Sequence, residues 1–301
     1  MRKLCLLTLA AALLLASFAA AESAAAVLTE QNGYALPLDF SPGMKLNKGS
    51  YNTKMHYEDP TIRMDTREEK YGDVKYWMAE VEIQDPTQLR TMPAYSFTRS
   101  STAEGSRLSR RANAVLACNG DYWWRDVQWK GNYVLRQGVL YMASLTGETD
   151  LLLVDEEGDF HIIPKATPET APMPETEEGP VYYEGKRIYN GFCFGPALVI
   201  DGKALTIEPN EKIVTEKKMA RMALCQLGKL RYAIVCSYKG SMQLQEFADM
   251  LASLGVQTAY NLDGGNSAML MTNSSMMNYN PTTRELSDII YFASAWPGEG
   301  N

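Results

Sequence analysis

Asn261-Leu262-Asp263-Gly264-Gly265-Asn266-Ser267-Ala268 follows the short apolar segment Thr258 to Leu262 and opens into a second apolar run, Ala268 to Met271. The first run delivers an aspartate onto two glycines; an amide and a hydroxyl follow. Paired glycines let a backbone turn sharply and bring its N–H groups close to a ligand. Two readings stand at this point. Asp-Gly between apolar runs is a strong hairpin signal. Asp263 is also a group able to react or to hold a ligand, and on this segment alone the hairpin is the stronger reading.

Outward from this run, Val256 to Leu262 reads as a strand. Before it, Ser241 to Leu254 places Leu244, Phe247, Leu251 and Leu254 on one helical face, with Gly255 as the stop. Arg221 to Leu227 and Leu230 to Ser237 are two strands around Gly228-Lys229, and Cys193 to Ile200 is an apolar run around Gly195-Pro196. Leu151 to Val154 and Phe160 to Ile163 flank Glu156-Glu157-Gly158 and predict a hairpin. Trp77 to Ile83 alternates as a half-buried strand does. Ala114 to Cys118 is a short strand ending on Asn119-Gly120-Asp121-Tyr122, and Ser101 to Glu104 fits a capping box for a helix reaching about Arg111. Pro164 to Pro180, rich in Pro, Glu and Thr, predicts an exposed, flexible loop. Many strands and few helices predict an α+β fold, a single domain with a mixed, mainly antiparallel sheet core.

The N-terminus reads as a secretion signal: Arg2 and Lys3, the apolar stretch Leu4 to Phe18, then Ala19-Ala20-Ala21 as the cleavage site. The expected organisation is a signal peptide at 1–21, a leader at 22–74 and the domain at 75–297, with the flexible loop at 164–180. The expected location is secreted or extracytoplasmic, with no membrane span after cleavage. The net charge of the 301 residues is −7, and the signal would carry away basic residues only. Such an acidic chain is a poor partner for nucleic acid or anionic membrane. Apolar content of 46% supports a true core.

Four cysteines follow the signal: Cys118, Cys193, Cys225 and Cys236. They permit two disulfides or four buried thiols. Only two histidines occur, His56 and His161, which argues against a histidine-rich zinc site. No Gly-x-Ser-x-Gly elbow is present. No metal site or cofactor is expected, and a divalent cation remains open.

Five fragments, in order, resemble one family. They are Ala114 to Trp123, Phe194 to Gly202, Arg221 to Leu224, Asn261 to Ser267, and Asn280 to Arg284. Together they are similar to the phosphodiester glycosidases over roughly residues 75 to 295. The family's signature has a third glycine where this chain has Asn266, and often a proline where it has Ala220. The resemblance implies hydrolysis of a sugar 1-phosphodiester on a phosphorylated glycan, to free sugar and a phosphomonoester. The alternative it leaves is a carbohydrate-binding module that has lost turnover. A structural export-pathway protein without a sugar ligand is a third reading.

A phosphomonoester is a far less basic leaving group than a sugar hydroxyl, so strong general-acid help is less necessary here than in ordinary glycoside hydrolysis. The chemistry needs donors for the phosphate and a carboxylate to activate water or stabilise positive charge at the sugar carbon. Asp263 is the first candidate carboxylate and Asp121 the second, although Asp121 also reads as a turn or cap residue. Arg221 and Arg284 are candidate phosphate clamps, because guanidinium binds phosphate bidentately; each also reads as a surface arginine. Gly264 and Gly265 offer backbone donors. Gly120, Asn261 and Ser267 complete the expected substrate-binding set with Asn119 and Asn266, whose amides suit sugar hydroxyls or an acetamido group. Tyr122, Trp123 and Trp124 suit a stacking platform or a buried aromatic cluster.

Overall fold

The computed structural model describes residues 33–99, 101–121, 132–209, 214–239, 242–278 and 282–298. The signal segment 1–21 and the aromatic run 122–124 lie outside them. The chain divides into two units, Met1–Ala35 and Leu36–Asn301. The sheets and the candidate site belong to the second unit.

Among the described residues, alternating side chains build three antiparallel sheets. The largest has nine strands in the order Tyr51–Thr53, His56–Asp59, Ile62–Tyr71, Val74–Ile83, Arg231–Lys239, Met222–Gly228, Thr258–Leu262, Ala197–Ile200 and Lys203–Ala204. A second contains Phe160–Ile163, Leu151–Asp155, Lys186–Phe192, Tyr133–Arg136 and Val139–Ala143 in that order, with Tyr182–Tyr183 added to Lys186–Phe192. The third runs Ser275–Met276, Leu270–Thr272, Ala114–Asn119, Asp288–Ala293 and Leu89–Pro93.

The central strands of the large sheet are buried on both faces, and their two side-chain sets serve different cores. Met222, Leu224, Tyr260 and Leu262 point into the main core, where they meet Leu116 and Ile290 of the third sheet and Leu152 and Phe192 of the second. Ala223, Cys225 and Ala259 point the other way, under the helix Leu244–Ser253. That helix buries Leu244, Phe247 and Leu251 completely, each burial worth about 1.5–3 kcal/mol. Its N-cap Gln243 and Glu246 satisfy each other's backbone donors, and Gly255 ends it at φ +78°.

Several expectations need correction. Only two α-helices occur among the described residues, Gly105–Arg111 and Leu244–Ser253, so the fold is mainly β rather than α+β. The residues expected as a leader supply three strands of the large sheet. Ile62–Tyr71 pairs along its full length with Val74–Ile83, so a boundary at residue 75 would cut a hairpin. The predicted capping box before Gly105 is not formed: Glu104 caps nothing, and the Thr102 hydroxyl donates to Glu285 at 2.6 Å instead. The 164–180 segment is free of strand and helix but is not merely exposed. Ala166 and Ala171 are buried in a satellite core, and the Tyr133 hydroxyl donates to the Pro172 carbonyl at 2.6 Å. Small side chains and a main-chain carbonyl anchor it, and composition hides both.

The cysteines are free thiols, all buried. They sit in separate packing groups, Cys118 and Cys236 in the main core, Cys225 beneath the helix and Cys193 in the satellite core. Burial pushes the Cys193 thiol up to about 12. His56 bonds Asp65 at 2.6 Å and His161 bonds Asp155 at 2.9 Å. Among the described residues no group of three His, Cys, Asp or Glu is placed to hold a metal ion. No helix among them is long and apolar enough to cross a membrane.

Candidate active site

The Asp-Gly-Gly run is not a hairpin. Thr258–Leu262 belongs to the large sheet and Leu270–Thr272 to the third, so residues 263–269 carry the chain from one sheet to the other. The crossing passes tightly over Ala220. The Gly265 N–H donates to the Ala220 carbonyl at 2.9 Å, and a Cβ on Gly264 would lie 2.3 Å from that oxygen. Gly265 has φ +55°, where a side chain is disfavoured. Both glycines are thus required by the path of the chain, and the Gly265 donor is spent on Ala220.

Two buried asparagines hold the rest of the crossing. Asn119 donates through Nδ2 to the Asp263 carbonyl at 2.9 Å and accepts the Met269 N–H at 3.1 Å. Asn278 donates to the Ala268 carbonyl at 2.8 Å and accepts the Leu270 N–H at 2.7 Å. A carboxamide does this work because one planar group offers a donor and an acceptor side by side. The segment bearing Asp263 is thereby preorganised by bonds that need no ligand.

Asp263 lines a small concavity of about 20 Å³, set in a wider depression open to solvent. Asn119, Gly120, Asp121, Phe194, Asp263, Ser267 and the stretch Arg284 to Asp288 line it. At its mouth the Arg284 guanidinium donates to the Asp263 carboxylate; the two side chains are 38% and 29% exposed. Such a half-solvated pair contributes up to about 1 kcal/mol to stability.

A second ion pair lies beneath, wholly buried. Arg136 donates to Asp121, whose other oxygen accepts the Cys193 N–H at 2.7 Å. Asp288 is 3.7 Å from the same guanidinium, which also lies over the Phe192 ring at 4.5 Å. Burial pushes the Asp121 carboxyl up, against the downward pull of Arg136 and the Cys193 N–H. Gly120 is fixed by this group, since a Cβ there would fall 2.1 Å from Asp288 Oδ1. Breaking a buried pair strands a charge, at about 3–5 kcal/mol, so Asp121 serves chiefly as the foundation of the cavity wall.

The tertiary structure therefore brings together Asn119, Gly120, Asp121, Asp263, Ser267 and Arg284. It does not bring Arg221 into the cavity lining. Arg221 is buried and donates to the carbonyls of Met242, Val214, Thr215 and Lys217 at 2.6–3.2 Å. Burial lowers its guanidinium to about 10. Its planar fork is filled by main chain, which removes it from the phosphate clamp. Asn261 is not in the lining either: its Nδ2 donates to the Gly195 carbonyl at 2.7 Å, and its buried Oδ1 has no hydrogen-bond partner among the described residues. Gly264, Gly265 and Asn266 are not among the residues that line the cavity, and Asn266 is exposed.

Sequence reading missed Phe194, Arg136, Glu285 and Asp288. Glu285 and Asp288 were within reach, following Arg284 directly in Arg284-Glu285-Leu286-Ser287-Asp288. Arg136 gave no signal, since an arginine ending a short strand reads as solvated.

The family model for phosphodiester glycosidases matches residues 112–293. This chain belongs to the phosphodiester glycosidase family. That match spans the Asn119 strand, the Gly264-Gly265 crossing and the Arg284 segment, the three pieces that meet at the cavity. No curated protein matches the sequence. Among solved structures, the catalytic domain of zebrafish N-acetylglucosamine-1-phosphodiester alpha-N-acetylglucosaminidase superposes with a TM-score of 0.59 at 14% identity, over 84% of this chain and 87% of that one. A hypothetical protein from Synechocystis gives a TM-score of 0.49 at 17% identity, over 77% of this chain and 62% of that one. At these identities the zebrafish likeness is one of fold. This phosphodiester glycosidase-family chain therefore shares a mainly-β architecture with a structurally characterised member, and its own residues must carry the argument for chemistry.

Proposed function

We propose that this family member is an exported hydrolase that cleaves a sugar 1-phosphodiester to the free sugar and a phosphomonoester, on a cell-surface or extracellular glycan. The observation that carries the reading is the Asp263–Arg284 pair at the cavity mouth. It sets an anion-binding guanidinium and a carboxylate side by side on a preorganised turn. In the proposed reaction the diester phosphate takes the place of Asp263 on Arg284, whose fork suits two phosphate oxygens. The displaced Asp263 carboxylate faces the sugar carbon, where it assists water. One proton of that water passes to the Asp263 carboxylate as its oxygen joins C1, the C1–O bond to phosphate breaks, and the leaving oxygen departs with the phosphomonoester. Arg284 stabilises the charge gathered there, so a proton donor of ordinary glycosidase strength is not needed. Export is supported by Arg2 and Lys3, the apolar run and the alanine site.

Incubation of the mature protein with a panel of sugar 1-phosphodiesters, scored for free sugar and new phosphomonoester, tests the reading. A second reading is a binding module of the same fold, favoured by Asn266 at the signature's third glycine position. Binding of a diester without release of sugar would decide for it. N-terminal sequencing of exported material should begin at Glu22; an intact Met1 on membrane-bound protein would reverse the export reading.

A further inference from the structure

Asn266 sits in the short 3-10 stretch Gly265–Ser267, and one neighbouring segment engages it twice. Its main-chain carbonyl accepts the Arg284 N–H at 3.1 Å. Its side-chain Oδ1 accepts the Thr282 hydroxyl at 2.9 Å. Both bonds reach the segment whose Arg284 side chain crosses to Asp263. On the C-terminal side of Arg284 the segment is held by the Thr102 hydroxyl on Glu285 and by the paired main-chain bonds of Ala103 and Leu286. The Thr282 bond, two residues before Arg284, ties the N-terminal side to the turn as well. Functional side chains hold their geometry only when the residues around them are themselves locked. A glycine at 266 would keep the first bond and lose the second.

We propose that Asn266 is a positioning residue, acting with the Thr282 hydroxyl to hold Arg284 in register for capture of a phosphodiester anion. The choice of ligand rests on the function proposed above; the geometry does not. Asn266 and Thr282 are exposed, so the pair adds little to stability, and its effect should appear in anion affinity. Losing one hydrogen bond of this kind is expected to weaken binding roughly three- to tenfold.

The test uses the full chain and four variants: Thr282→Val, Thr282→Ser, Asn266→Gly, and Thr282→Val with Asn266→Gly. Dimethyl phosphate, the smallest phosphodiester anion, is the probe. Its binding is followed by NMR of the Arg284 Nε–H, alongside thermal melting and, where a sugar 1-phosphodiester is hydrolysed, KM and kcat. Thr282→Val and Asn266→Gly should each weaken dimethyl phosphate about three- to tenfold and raise KM while kcat changes little. Melting temperatures should stay within roughly 2 °C, and Thr282→Ser should bind as the parent does. The double variant should be no worse than either single one, because both remove the same bond. Asn266→Gly also loosens the backbone, so Thr282→Val decides. Parent-like binding in Thr282→Val, fully additive losses in the double variant, or no binding of dimethyl phosphate by the parent would each overturn the proposal. If the pattern holds but no sugar phosphodiester is hydrolysed, the proposed function falls and the role of Asn266 stands.

Discussion

Gly264 and Ala220 approach so closely that a Cβ on the glycine would lie 2.3 Å from the Ala220 carbonyl oxygen. That oxygen also accepts the Gly265 N–H at 2.9 Å. The contact locks the start of the Asp263 crossing onto the entry to the Met222–Gly228 strand. Gly264→Ala must push the two backbones apart and strain that bond. A loss of roughly 2–4 kcal/mol is expected, read as a lower urea midpoint with an unchanged slope. Gly72, with nothing within 4 Å of its Cβ position but φ +57°, is the control: alanine there should cost about 1 kcal/mol from backbone strain alone.

Asp263→Asn keeps the shape of the side chain and removes its charge. Turnover of a sugar 1-phosphodiester should fall on the order of 10²–10⁴-fold, while the melting temperature stays close to that of the parent, the Arg284 pair being half exposed. Full activity in the variant would move the carboxylate role to Glu285, which lines the same cavity. Asp121 is not the natural heir, because both its oxygens are engaged inside the wall.

The two arginines should separate cleanly. Arg284→Lys keeps a charge but loses the planar fork, and should lower kcat/KM toward a sugar phosphodiester about tenfold, or about 1.4 kcal/mol. A neutral aryl glycoside of the same sugar should lose much less. Arg221→Met should instead destabilise the fold by about 2–5 kcal/mol, because four buried or half-buried carbonyls lose their donor. Equal losses on both substrates for Arg284→Lys would assign that residue to the fold as well.

Replacing 164–180 with a short Gly-Ser link should cost stability, contrary to the expectation from composition. Ala166 and Ala171 leave the satellite core, and the Tyr133 hydroxyl loses its acceptor. A fall of several degrees in melting temperature is expected for roughly 1–3 kcal/mol. An unchanged melting temperature would mean that the segment contributes nothing to folding.

The strand pairs around Gly158 and Gly228 and the helix at Leu244 were legible from the sequence, because periodicity and turn residues are local properties of the chain. So was a sharp change of direction at Gly264 and Gly265, because paired glycines signal a tight backbone path, although that path is a crossing between sheets and not a hairpin. Which groups share a cavity was not legible. Arg221 and Arg284 are the same residue type and read alike along the chain. One is buried against four carbonyls of its own backbone, the other reaches an aspartate at a half-open mouth. Asn119 reads as a sugar ligand, yet both ends of its amide are consumed by residues more than 140 positions away. Arg136 was invisible because its meaning lies in Asp121 and Asp288, and only the packing of the second sheet against the third brings it to Asp288. A donor or acceptor is defined for function by what already occupies it, and occupancy is set by contacts distant in the chain.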